Sequence, residues 1–147
     1  MMFKWKRIFK PEELNSFNQG SLAHHLGIEI LEFGDNMLTA RMPIDARTRQ
    51  PFGLLHGGAS GALSETLGSI ASFCMLDDPT TQSAVGLELN ASHLKSAKEG
   101  YVYAECKPIK IGKRVHVWST DIFDEQKNLV CQSRLTVMIL NQASIML

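Results

Sequence analysis

The chain has 147 residues, with 15 Lys and Arg against 15 Asp and Glu, for a formal net charge of zero. Apolar residues make up 44% and charged residues 20%, too hydrophobic for disorder, and the length suits one domain, residues 1–147, whose core needs no staples. The neutral balance argues against a dedicated nucleic-acid binder, and it weakly favours self-association because little charge repulsion opposes it.

The start, MMFKWKRIFKPEELN, carries positive charge with no apolar stretch behind it, so it does not read as a signal peptide. No run approaches the roughly 18 apolar residues of a membrane span. Cys74, Cys106 and Cys131 are odd in number and far apart, with neither CxxC nor Cys/His metal spacing. They read as reduced core thiols of a soluble, cytoplasmic protein with no metal site and no membrane association.

In chain order, Pro11 followed by EELNSF predicts a short helix, since proline suits the first turn and two glutamates suit its positive end. Ser21 to His25 predicts another helical turn, closed by Gly27. Ile28 and Ile30 begin a strand, Gly34-Asp35-Asn36 is a hairpin signal, and Leu38, Ala40 and Met42 alternate along the returning strand to Pro43. A loop, DARTRQPFG, follows.

From His56 to about Leu76 the pattern turns helical. Leu63, Leu67, Ile70 and Cys74 fall at spacings of three and four, with Gly61, Glu65, Gly68, Ser69 and Ser72 on another face. Asp77-Asp78-Pro79 stops this helix. The strings SAVGLELNASHL, YVYAECKPI, VHVWSTDIF and LVCQSRLTVMIL read as strands separated by polar turns. Strands on both sides of one long helix predict an antiparallel sheet packed on that helix, an α+β architecture. The closing NQASIML extends past this pattern with no assigned role.

The run HGGASGALSETLGSIAS is rich in small residues, and glycine inside a helix costs about 1 kcal/mol relative to alanine. Close approach by a backbone or a ligand is the return, and tight packing on a curved sheet satisfies it as well as a binding site does. Glu65 is the one acidic residue between Ala46 and Leu76 and neighbours Gly61, Gly68 and Ser69 on the helix. It reads either as a solvated surface residue or as a carboxylate in a low-dielectric cleft, where it could serve as base or nucleophile.

A helix starting near His56 points unpaired N–H groups outward, and the glycines behind it let a substrate come close enough for them to hold an oxyanion. His56 itself fits a general base, a positioning donor or a helix cap. Gln50, on the loop before, can donate its amide to the same place. Ser60 and Ser64 lack the Gly-x-Ser-x-Gly context of a hydrolase nucleophile, and no HExxH, GxxxxGK[ST] or GxGxxG motif is present. Between His93 and Arg114 the charges sum locally to +4, from Lys95, Lys98, Lys107, Lys110, Lys113 and Arg114 against Glu99 and Glu105. Turn lysines of this kind either bind phosphates or keep strand edges solvated.

The strings QPFGLLHGG and SETLGS, with VGLELNASHLKSAKEG, CKPIKIGKRVHVWSTDIFDE and the closing SRLTV, resemble the hotdog-fold acyl-CoA thioesterases. The likeness lies in the branch holding the dihydroxynaphthoyl-CoA thioesterase of menaquinone synthesis and the enterobactin proofreading thioesterase, and it spans nearly the whole chain. It implies an antiparallel sheet wrapped round one helix and a homodimer or homotetramer. It further implies hydrolysis of an aromatic acyl-CoA, or of an acyl or aryl carrier-protein thioester, with CoA as part of the substrate and no separate cofactor.

Carried onto matching residues, Glu65 is the catalytic carboxylate, while the Gly57 N–H and the Gln50 amide polarise the carbonyl. His56 positions the thioester and Ser69 orients the carboxylate or water. Gly86, the segment His93, Leu94, Lys95 and Ser96, and the segment Lys110, Ile111, Gly112, Lys113, Arg114 and Val115 hold CoA. Each site is implied to span two subunits. Lys95 stands where the family commonly has arginine, and Gly61 and Ser64 make the helix start unusually polar. A hotdog dehydratase or hydratase on hydroxyacyl thioesters, and a non-catalytic acyl-CoA-binding module, are the rival readings. Retention of Glu65, Gln50 and His56 speaks against the second.

Overall fold

The computed structural model describes residues 2–142. Two short helices, α1 (Pro11–Phe17) and α2 (Leu22–His25), precede the hairpin of β1 (Glu29–Phe33) and β2 (Leu38–Pro43). A loop leads to the long helix α3 (Gly57–Cys74), then β3 (Gln82–His93), β4 (Tyr101–Ile111), β5 (Val115–Phe123) and β6 (Leu129–Asn141) follow. The strands form one antiparallel sheet in the order β1-β2-β4-β5-β6-β3, which leaves β3 at an edge. This is the α+β arrangement expected from the strand and helix pattern, with the sheet curled round α3.

Local signals account for the boundaries. Ser21 caps α2 by accepting the His24 N–H, and Gly27 follows at φ +74°, the left-handed geometry in which glycine ends a helix at no steric cost. The β4 strand runs to Ile111, beyond the expected end at Ile109. A register shift between Pro108 and Lys110 absorbs the proline, and β2 pairs β4 only as far as Cys106, so the missing N–H of Pro108 faces no β2 partner.

The helix is buried nearly all round. Leu63, Leu67, Ala71 and Cys74 are fully enclosed, and so are Gly61, Gly68 and Ser72 on the other face. A Cβ on Gly68 would come within 2.5 Å of Leu135, and one on Gly61 within 3.3 Å of Leu89. Sheet side chains thus occupy the space these two interior glycines leave, and close packing is what offsets their cost in helix propensity.

Ser72 anchors the far end of α3. Its Oγ accepts the Trp118 Nε1–H at 2.7 Å and lies 3.1 Å from His116 Nδ1, all three side chains being buried. Burial, reinforced by the nearby positive charge of Lys6, holds His116 below the ordinary histidine range.

The basic N-terminal segment joins this core. Trp5 stacks on Trp118 with ring centroids 5.8 Å apart and donates to Gly34 O, and the Arg7 N–H donates to Cys74 O. Of the NQASIML tail, Asn141 ends β6 and the Gln142 N–H donates to Thr81 O, while residues 143–147 lie outside the described residues. No helix among the described residues is long and apolar enough to cross a membrane.

Candidate active site

The candidate residues gather at two places along α3. At its start, His56 is the N-cap: its Nδ1 accepts the Gly58 N–H at 2.7 Å. A ring nitrogen that accepts must be unprotonated, so the neutral ring carries its proton on Nε2 and faces outward as a donor, not as a base. His56 O takes the N–H groups of Ala59 and Ser60, leaving that of Gly57 without an acceptor among the described residues. Gln50 Oε1 accepts the backbone N–H groups of Phe52 and Leu54. That contact fixes which end of the amide is oxygen and frees the NH2 to donate.

Gln50 and Gly57, but not His56, line a cavity of about 350 Å³, together with Ser60, His93, Lys95 and Ser96. His93 packs directly on the helix start, where a Cβ on Gly57 would come within 2.8 Å of its Nε2.

Glu65 lies eight residues on, about 12 Å along the helix axis at 1.5 Å per residue. Its side chain is exposed in the single chain, so one chain alone does not supply the low-dielectric cleft that the sequence reading offered for it. Glu65 and Ser69 line a cavity of about 730 Å³ between α3 and the α1–α2 segment. No hydrogen bond joins the two side chains among the described residues. Phe9, Phe17 and Phe73 wall this cavity, with Phe73 stacked between the other two at centroid distances of 6.1 and 6.3 Å. Sequence reasoning missed these rings, although Glu65, Ser69 and Phe73 are spaced by four and share one helix face. A further cavity of about 590 Å³ runs along α3 from Gly57 to Glu65, bordered by Leu89 and His93 of β3.

The two basic segments do not meet within one chain. His93 pairs with Cys131, whereas Gly86 pairs with Val137, which pairs with His116, which pairs with Ile111. The Lys110–Val115 turn therefore shares its end of the sheet with Gly86, and His93–Ser96 lies at the other end. From Cys131 to Met138 along β6 the separation is roughly 23 Å at 3.3 Å per residue. The local +4 is divided between two ends, a consequence of strand register that charge counting along the sequence does not reveal. Lys110, Lys113 and Arg114 are exposed at one end and Lys95 at the other. Gly86 itself sits against Glu65, whose Oε1 is 2.6 Å from where a Cβ would be.

An antiparallel sheet wrapped round one helix, with a glycine-rich helix start and a carboxylate two turns on, defines a hotdog-fold protein. Residues 52–131 match the Thioesterase superfamily, and the chain belongs to that superfamily. It is 48% identical over 136 residues to the 1,4-dihydroxy-2-naphthoyl-CoA hydrolase of Escherichia coli, covering 92% of this chain and 98% of the relative. It is 46% identical over the same length to the proofreading thioesterase EntH of Cronobacter turicensis, covering 92% and 98%. Among solved structures, a thioesterase of Haemophilus influenzae superposes with a TM-score of 0.90 at 45% identity, covering 95% of this chain and 96% of the other. The chain is a hydrolytic thioesterase acting on acyl thioesters.

Proposed function

We propose that the enzyme hydrolyses an aromatic acyl-CoA to the free acid and CoA, in a site built from two copies of the chain. The observation that carries this reading is the separation of donors and carboxylate on α3. Gly57, which shares its cavity with Gln50, stands about 12 Å from Glu65 along the helix, too far for both to act on one carbonyl within one chain. Antiparallel pairing of two β3 edges would bring the Glu65 and Gly86 end of one chain against the Gly57 and His93 end of the other. The same pairing would reunite the two basic segments around one CoA, and it would bury Glu65.

In that site the Gly57 N–H and the Gln50 NH2 donate to the thioester carbonyl oxygen and hold the negative charge that develops on it. His56 Nε2–H adds a donor that positions the thioester. Glu65 either attacks the carbonyl carbon, expelling the CoA thiolate and leaving an anhydride for water to cleave, or takes the proton of the attacking water. Ser69, one turn on, is placed to orient the carboxylate or that water. Lys95, Lys110, Lys113 and Arg114 supply positive charge for the nucleotide phosphates. The Phe-walled cavity beside Glu65 suits a flat aryl group, which agrees with the name of the naphthoyl-CoA relative.

The test is hydrolysis of aroyl-CoA, fatty acyl-CoA and aryl carrier-protein thioesters by Glu65→Gln, Glu65→Asp and the wild type. Glu65→Gln is expected to lose about 10²-fold or more, the range of general acid–base catalysis, and Glu65→Asp less. Turnover near wild type by a folded Glu65→Gln chain would overturn the assignment. Preference for fatty acyl-CoA over aroyl-CoA would overturn the aromatic specificity. Enoyl–hydroxyacyl interconversion without release of thiol would point to a hydratase.

A further inference from the structure

Gly86 meets Glu65 in a way that neither its strand nor its backbone requires. Its φ lies outside the left-handed region, so glycine is not demanded by conformation. A Cβ there would meet Glu65 Oε1 at 2.6 Å, Glu65 Cδ at 3.6 Å and Leu135 Cδ1 at 3.8 Å. The carboxylate tip is thus the one close obstacle, and the other two are ordinary contacts. The β3–β6 register shifts between Gly86 and Glu88, an irregularity of the kind that re-aims side chains beside active sites. Leu135 forms the floor, touching both the Gly86 notch and the Gly68 face of α3.

We infer that Gly86 is a positioning residue, whose missing side chain leaves the notch in which the Glu65 carboxylate rests against β3. The inference builds on the catalytic role proposed for Glu65 and adds what sets the place of its carboxylate. The carboxylate makes no hydrogen bond among the described residues, and the Gly86 notch is where its Oε1 lies against β3. Adding a methyl group at 86 would push Oε1 from 2.6 Å to at least an ordinary contact near 3.4 Å, a shift of about 0.8 Å. A misplacement of about 1 Å in a reacting group costs up to roughly 10²-fold in rate. The fold should hardly notice, because what must give is the free end of a flexible side chain.

The experiment compares Gly86→Ala, Glu65→Asp, the double variant and Glu65→Gln on benzoyl-CoA, with melting and sedimentation run alongside. Gly86→Ala is expected to lower kcat roughly 10- to 100-fold, with melting and sedimentation as in wild type. In the Glu65→Asp background, one methylene shorter, the same substitution should cost little more, because the added methyl no longer meets the carboxylate. Wild-type kcat in Gly86→Ala, or an equal fold-loss in both backgrounds, overturns the inference, since Gly86 would then act apart from Glu65. An active Glu65→Gln chain would instead overturn the catalytic reading of Glu65 and the positioning role with it.

Discussion

Replacing Ser72 with alanine tests what holds α3 on the sheet, and α3 carries both Gly57 and Glu65. The serine hydroxyl is the partner within reach of the Trp118 indole N–H, at 2.7 Å, and of His116 Nδ1, at 3.1 Å. Alanine leaves the Trp118 indole N–H and His116 Nδ1, both buried, without this partner. Each such group costs about 1–3 kcal/mol, so two give about 2–6 kcal/mol, with a middle near 4 kcal/mol. For a chain of this length the middle value corresponds to roughly 8–16 °C in Tm.

Thermal and urea unfolding of the wild type, Ser72→Ala, Trp118→Phe and the double variant measure it. The double variant should be more stable than the sum of the single losses implies, because removing both partners leaves fewer orphans. A Ser72→Ala loss under about 0.5 kcal/mol would refute the reasoning, since that is the range of surface substitutions away from any such feature.

Two further outcomes follow from the same contacts. His116 is held below its ordinary value of 6.5, so the unfolded chain takes up its proton more readily than the folded one. Its contribution to stability is therefore present above about pH 6.5 and is lost progressively as pH falls below that. Urea midpoints measured across that window should fall in wild type and stay flatter in His116→Gln. Asp45, Asp77, Asp78 and Asp124, each lowered from 3.8 chiefly by side-chain hydrogen bonds, act only at lower pH and do not mask this slope. In the acyl cavity, Phe17→Ala should reduce the preference for aroyl-CoA over a fatty acyl-CoA by about 2- to 10-fold in kcat/KM, from loss of one aromatic pair worth about 0.5–1.5 kcal/mol. An unchanged ratio would remove Phe17 from the acyl pocket.

Much of the fold is legible in local sequence because its causes are local. Gly34-Asp35-Asn36 marks the β1–β2 hairpin, the spacing from Leu63 to Cys74 marks α3, and period-two alternation marks the strands. What local pattern leaves open depends on which strands become neighbours. Placing β3 at the edge beside β6, twelve residues against thirteen, is a matter of long-range pairing. Ser72 gives no sign of its role until β5 brings His116 and Trp118 over it.

The site shows the same divide. Glu65, Gln50 and the glycines at the start of α3 stand out by residue type and spacing. The division of the basic segments between two sheet ends, and the notch at Gly86, follow from register alone. Phe9 and Phe17 come from the N-terminal segment and Phe73 from α3, so packing assembles their wall.

The shared site is the central claim, and subunit complementation tests it most directly. Glu65→Gln and Gln50→Ala chains, each inactive alone, are denatured together in equal amounts, refolded and assayed on benzoyl-CoA. With random pairing half of the dimers are mixed, and in a shared site one of the two sites in each mixed dimer has both intact parts. The account predicts about one quarter of wild-type activity from the mixture. Sites confined to single chains would give no recovery, and that result would contradict it.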